Sequence, residues 1–289
     1  MATIWELDFY SRPIIDERQK KKWEVLICET PLNVGSKSES LFRYSQFCPS
    51  TTVNSLWLAG AIKEAIASAP KPPEKIRFFR RQMANMITKA CEDLDIPAAA
   101  SRRTLAPSLW LEERMQSYYP AQEGFQAAVN PSVQFVPETP VALPDALIGE
   151  KWAFVNLPAA AFDEMSEWDI GFGEAFGLPM TGLGPETQIP GLIIFSSRAT
   201  ALAGWMSGLE LAFLKFDSGS PGTPARLILD TGANDRWILA NIRDAATVAE
   251  GKKFEAAKKQ AKQVHFLAIQ SNPESESFAG FWLLHELTI

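Results

Sequence analysis

A short alternating stretch near the start of the chain decides how its first half folds: Trp5-Glu6-Leu7-Asp8-Phe9-Tyr10. Apolar residues fill every second position, which is the period of a half-buried β-strand. A second stretch, Lys22-Trp23-Glu24-Val25-Leu26-Ile27-Cys28, alternates in the same way. Because the residues between them are mostly polar, the two stretches predict a β-hairpin with an irregular connection.

The rest of residues 1–119 alternates between helical and extended patterns. Helices are predicted over 53–68 (with Ser50, Thr51 or Thr52 as cap), 83–94 and 107–118. Short strands are predicted over 75–79 and 96–102. This alternation predicts an N-terminal α/β domain over residues 1–119.

Five prolines then interrupt the pattern, and a second α/β domain follows them. Pro120, Pro131, Pro137, Pro140 and Pro144 indicate a linker over residues 120–150.

Strand and helix patterns resume over residues 151–289 and end in an apolar strand over 278–287. Thr247 and Glu250 form a capping box that predicts a helix start. Gly171, Gly173 and Gly177 miss the dinucleotide-binding spacing by one residue and indicate a flexible loop. The fold class predicted is mixed α/β, with two domains joined by a Pro-rich linker.

Composition narrows the class of protein. The chain of 289 residues is 46% hydrophobic and 21% charged, which suits two globular domains. No apolar run is long enough to span a membrane, and Met1 is not followed by a recognisable leader. Three scattered cysteines give neither a zinc motif nor a disulfide framework. A cytoplasmic protein, or an organellar protein after processing, is therefore expected, with no cofactor.

Catalytic signatures are weak. The two histidines, His265 and His285, both fall in strand patterns, where a structural role is the usual one. Asp217 and Asp230 lie near strand ends and suit Mg²⁺. A metal-dependent nuclease is therefore kept as an alternative, although no complete nuclease motif is present.

A basic segment offers the clearest chemical hint. Net charge is −6 for the chain, but residues 71–103 hold eight basic and four acidic residues. Cations beside aromatic rings suit single-stranded RNA, since charge holds phosphate and rings stack on bases. The candidate contacts are Arg77, Phe79, Arg80, Arg81, Arg102 and Arg103. The competing interpretation is an ordinary strand with its phenylalanines in the core.

The motif from Trp5 to Pro13 resembles the Tab/Atab-type family of cyanobacteria and chloroplasts. The resemblance to this family also includes residues 22–28, Asp235-Arg236-Trp237 and residues 278–284. The resemblance runs from residue 4 to about 288. It implies an RNA-binding factor needed for translation of the mRNA of a photosystem I reaction-centre subunit, and so for photosystem biogenesis. It also implies a role in RNA binding for a terminal Trp-Leu-Leu motif.

That motif corresponds here to Trp282, Leu283 and Leu284. Both faces of its strand are apolar, which is typical of a strand covered on both sides, so Trp282 is expected in the core.

The prediction is a non-catalytic protein that binds RNA, with neither DNA binding nor membrane insertion. A protein-binding assembly factor without RNA contact is a further alternative. Because no leader is seen, a cyanobacterial member is expected.

Overall fold

The structure, a computed structural model, describes residues 3–127, 138–220 and 222–287. The chain has a mixed α/β fold and divides into two units. Among the described residues, unit 1 comprises 3–30 and 38–127, and unit 2 comprises 31–37 and 138–287. No helix within the described ranges is both long and apolar enough to cross a membrane.

Unit 1 is built on one five-stranded sheet. Its strands are β1 (Ile4–Ile15), β2 (Lys21–Glu29), β3 (Arg43–Cys48), β4 (Lys75–Phe78) and β5 (Ala98–Ala100). The order across the sheet is β3-β2-β1-β4-β5. β1, β2 and β3 are antiparallel neighbours, whereas β4 and β5 run parallel to β1. The predicted hairpin is therefore the centre of this sheet.

Helices cover both faces of that sheet. They are α1 (Ser55–Ser68), α2 (Ala84–Glu92) and α3 (Leu105–Glu113), which continues as a π-helical turn (Arg114–Tyr118). Trp5, Leu7 and Phe9 pack with α1 and α2 in one core, while α3 contacts β1 and β2. The cap of α1 is Asn54, whose side chain accepts a hydrogen bond from the Trp57 amide at 2.8 Å, rather than the predicted residues 50–52.

Unit 2 contains two sheets. The first has the order β7 (Lys151–Pro158), β9 (Gln188–Phe195), β13 (Val264–Gln270), β14 (Phe278–His285) and β8 (Ile170–Glu174). The second has the order β10 (Leu211–Asp217), β11 (Ala225–Thr231), β12 (Asp235–Ile242) and β6 (Val141–Ala142). Helices α4 (Ala199–Ser207) and α5 (Ala245–Gln260) share a core with both sheets. The α5 cap is Asp244, which accepts from the Thr247 amide at 2.7 Å.

One expectation about an irregular segment is wrong, and a second, the linker, lies partly outside the described ranges. Gly171 and Gly173 lie in strand β8, not in a flexible loop. The predicted linker over 120–150 includes residues 128–137, which lie outside the described ranges. Its described parts belong to the two units, because Phe125 bridges to Ile14 and β6 pairs with β12.

Candidate nucleic-acid interface

The two basic segments of unit 1 meet at one edge of its sheet. β4 and β5 are adjacent and parallel, with Phe78 opposite Ala100. The Ser101 amide donates to the Phe78 carbonyl at 2.8 Å. Residues 79–81 and 101–103 therefore emerge side by side at the carboxyl ends of parallel strands, where open α/β sheets usually bind ligands.

Burial divides the six predicted contacts into two groups. Arg77, Phe79 and Arg80 are 3%, 3% and 4% exposed, so the expectation that they touch RNA does not agree with this conformation. Arg81 is exposed, and Arg102 and Arg103 are half-buried. We call Arg81, Arg102 and Arg103 the basic rim.

Arg80 is buried because unit 1 supplies its partners. Its guanidinium pairs with the Asp8 carboxylate and lies 4.1 Å from the Tyr10 ring centroid and 4.9 Å from that of Phe79. Arg77 lies directly opposite Glu6 on the neighbouring strand. A charged group is stable in an interior only when it is paired, as Arg80 is with Asp8.

Asp8 and Arg80 belong to a larger buried ionic cluster, which also contains Arg12, Glu24, Arg114 and Tyr119. Arg12 lies 2.9 Å from Asp8 and 3.1 Å from Glu24. Arg114 and the Tyr119 hydroxyl bond to the Glu24 carboxylate.

Burial favours the neutral form of Asp8, but the charges of Arg12 and Arg80 hold its pKa below the usual value. Burial raises the pKa of Tyr119, so its hydroxyl stays protonated and donates.

Glu6 has a structural role outside the ionic cluster. Its Oε2 accepts a hydrogen bond from the Ala106 amide at 2.9 Å in the first turn of α3. The α3 cap residue Thr104 makes no such bond, so a carboxylate from β1 satisfies the helix N-terminus. Glu6, Asp8 and Glu24 share one face of the hairpin, and each is occupied by structural contacts.

Sequence reasoning missed a ladder of cations and aromatic rings along α3 and the π-helical turn. The Arg114 guanidinium carbon lies 3.9 Å from the Tyr118 ring centroid and 5.2 Å from that of Trp110. Arg43 lies 5.3 Å from the Trp110 ring. Tyr118 is 39% exposed. The signal was present in the sequence, since residues 110, 114 and 118 follow a four-residue spacing that places side chains on one helix face.

The terminal motif lies in the interior of unit 2. Trp282, Leu283 and Leu284 are 4%, 0% and 0% exposed, and Trp282 and Leu284 belong to the main core. The expectation that Trp282 is a core residue is confirmed. The candidate role of these three residues as RNA contacts does not agree with their burial.

The geometry does not assemble the residues proposed for a nuclease. Asp217 is opposite Arg226 and Asp230 is opposite Phe213 in the β10–β11 register, so about 13 Å of strand separates the carboxylates. Asp230 is buried and pairs with Arg236 at 3.2 Å. Within the described ranges, no group of three or more His, Cys, Asp or Glu residues could hold a metal ion.

The histidines are held in structural positions. His265 Nε2 accepts a hydrogen bond from the Leu214 amide at 2.8 Å. Burial and the nearby Lys258 charge lower the His265 pKa well below its usual value. Burial also lowers the His285 pKa, to about 4. Both rings are therefore neutral near pH 7 and support the packing of β13 and β14.

Comparison with known proteins matches both halves of the chain to one family. Residues 4–114 match the family model described as RNA-binding protein Tab2/Atab2 N terminal, and residues 130–285 match its C-terminal domain.

A maize relative, "Protein TAB2 homolog, chloroplastic", is 40% identical over 98% of this chain and 71% of its own length. The Arabidopsis thaliana homolog is 41% identical over 98% of this chain and 74% of its own.

Among solved structures, the catalytic core domain of BIV integrase aligns over 42% of this chain and 73% of its own. With 15% identity and a TM-score of 0.26, that likeness carries no argument.

Proposed function

The chain belongs to the Tab2/Atab2 family of RNA-binding proteins, and we propose that it supports translation of a photosystem reaction-centre mRNA by binding it, without catalysing a reaction. The observation that carries the proposal is a family match along both units, together with chloroplast homologs at about 40% identity. A plastid stroma, or the cytoplasm of a cyanobacterium, is the matching compartment.

We place the RNA contact at the basic rim. Arg81, Arg102 and Arg103 lie at the carboxyl ends of β4 and β5, and each guanidinium suits bidentate contact with phosphate. The ladder on α3 and its π-helical turn adds ring surface in the same unit, from Tyr118, which is 39% exposed, and from the half-buried Trp110. Aromatic faces of this kind stack on unpaired bases.

The test is a triple variant of the basic rim. Arg81→Ala, Arg102→Ala and Arg103→Ala together should weaken binding of single-stranded RNA. They should also reduce the log–log salt slope by about 0.7 for each phosphate that an arginine no longer neutralises. The matched control replaces three exposed lysines of unit 1, Lys20, Lys63 and Lys71, with alanine.

Equal losses of affinity in the two triple variants would point to a general charge effect and contradict the proposed rim. A rim variant that keeps its affinity for RNA and its salt slope would also contradict the proposed rim. Sequencing of RNA crosslinked to the protein in its native cell then identifies the target, and recovery of no photosystem mRNA would contradict the translational role.

A further inference from the structure

We propose that the outer edge of strand β8 in unit 2 binds an extended, basic segment of a partner protein, which adds to the sheet as a further strand. This inference is independent of the RNA contact in unit 1.

β8 is an open edge. It pairs with β14 on one side, and no other strand of the described ranges pairs with its other side. The three central residues, Gly171, Phe172 and Gly173, are exposed, with Phe172 at 37%. An exposed edge presents a row of backbone donors and acceptors, which is the template for strand addition.

This edge lacks three devices that commonly protect an edge strand from strand addition. Natural edge strands commonly carry lysine, proline or a bulge. In unit 2, β7 begins at Lys151 and ends at Pro158, and β10 carries the exposed Lys215. β8 has none of these features, and its register with β14 is regular over Ile170–Glu174.

The charge around the edge selects a basic partner. Residues 152–197 contain six acidic residues and no lysine, arginine or histidine. Glu167 and Asp169, just before β8, are exposed. Glu274 and Glu276 are exposed in the turn before β14, and the Phe278 amide donates to the Asp169 carbonyl at 2.8 Å. Carboxylates thus gather at one end of the β8–β14 pair, where they repel RNA and attract lysine and arginine.

Apolar side chains flank the edge on both faces of the sheet, with Phe172 on the α4 face and Trp168 beside Phe281 on the opposite face. Phe172 lies over α4, where a Cβ on Gly204 would be 3.6 Å from its ring. Trp168 is half-buried and packs 5.2 Å from the Phe281 ring centroid. A strand presents alternate residues to one face, so alternate apolar residues of the segment can pack beside Phe172, while lysine or arginine at the positions between them can pair with the carboxylates.

The direct test uses the full chain and a labelled 12-residue peptide of alternating valine and lysine. Binding is followed by fluorescence anisotropy, and amide hydrogen exchange reports on residues 170–174. We expect binding that protects these amides and weakens with salt. A peptide in which proline replaces each valine keeps the charge but cannot form a strand, so it should not bind.

Charge reversal supplies the specificity control. Glu167→Lys with Asp169→Lys should weaken binding of the valine–lysine peptide by about tenfold. Glu92→Lys with Glu112→Lys makes the same change in net charge at exposed sites of unit 1 and should have little effect.

Several results would overturn the proposal. They are absence of peptide binding, equal losses of affinity in both double variants, binding of the proline peptide, protection only outside β8, or displacement of the peptide by single-stranded oligouridine. Self-association of the chain through β8 would assign the edge to a second copy instead, and sedimentation of the free protein detects it.

Discussion

At the scale of single residues, the charges of the buried ionic cluster are costly to remove from water, and each lies close to an opposite charge. Asp8, Arg12 and Glu24 are at most 1% exposed. Several kcal/mol are needed to remove each such charge from water, and only a well-placed opposite charge offsets this. Asp8 faces both Arg12 and Arg80, so removing its charge leaves two guanidinium groups without their shared partner.

We therefore expect Asp8→Asn to lower the free energy of unfolding by about 3–5 kcal/mol. Urea titration measures the change, and Asp163→Asn, at an exposed position, is the matched control. A decrease no larger than that of the control would contradict the assignment of Asp8 to the cluster.

Because Asp8 titrates, we also expect the stability of the protein to depend on pH. The folded pKa of Asp8 is lowered from the ordinary 3.8, so its contribution to stability is fully present above the unfolded pKa. It is lost as the pH falls through the folded pKa. The stability gap between the parent chain and Asp8→Asn should thus be constant from pH 7 to about 5 and shrink below about 4. A gap that does not change with pH would show that Asp8 contributes by packing alone.

Trp282 separates a structural from a functional explanation of the terminal motif. Trp282→Ala empties a large volume in the main core of unit 2 and should cost about 3–5 kcal/mol. Any decrease in RNA binding should then accompany partial unfolding. Melting temperature and RNA affinity are measured on one preparation. An unchanged melting temperature with abolished affinity would show that Trp282 contacts RNA directly.

At the scale of elements, β8 and β14 approach each other so closely that one position accepts only glycine. A Cβ on Gly173 would lie 2.2 Å from the Phe281 carbonyl oxygen, whereas nothing lies within 4 Å of a Cβ on Gly60 in α1. Gly173→Ala should therefore destabilise unit 2. Gly60→Ala should stabilise α1 by about 1 kcal/mol. Thermal unfolding of both variants checks this, and equal effects would refute the close approach.

Periodicity predicted the elements with strong patterns and missed those without. The β1–β2 hairpin and α2 follow from regular apolar spacing. β3 reads Arg43-Tyr44-Ser45-Gln46-Phe47-Cys48, and its half-buried side chains give no clear alternation. Gly171 and Gly173 of β8 were predicted to lie in a flexible loop, because no clear strand pattern precedes them. Here the glycines permit close contact with β14.

Side-chain exposure was harder to predict from the sequence than secondary structure. Arg80 is a surface residue by local pattern, and its partner Asp8 lies 72 positions away. Only the parallel pairing of β1 with β4 brings such groups together. The six candidate contacts of the basic segment lie on or just after β4 and β5, yet three of them, Arg77, Phe79 and Arg80, are interior.

At the scale of the whole molecule, charge is distributed unevenly between the units. Unit 1 carries the basic rim, formed by residues that follow β4 and β5. Unit 2 contains 46 consecutive residues, 152–197, without a positive charge. A polyanion is attracted to the first surface and repelled by the second, so the two surfaces suit two different partners.

The most direct test of the RNA account is ultraviolet crosslinking of the intact protein to a uridine-rich single strand, with the crosslinked peptides identified by mass spectrometry. We expect crosslinks in unit 1, on peptides that include residues 79–81, 101–103 or 110–118. Crosslinks confined to unit 2, on peptides that include 163–174 or 278–285, would contradict the proposed interface.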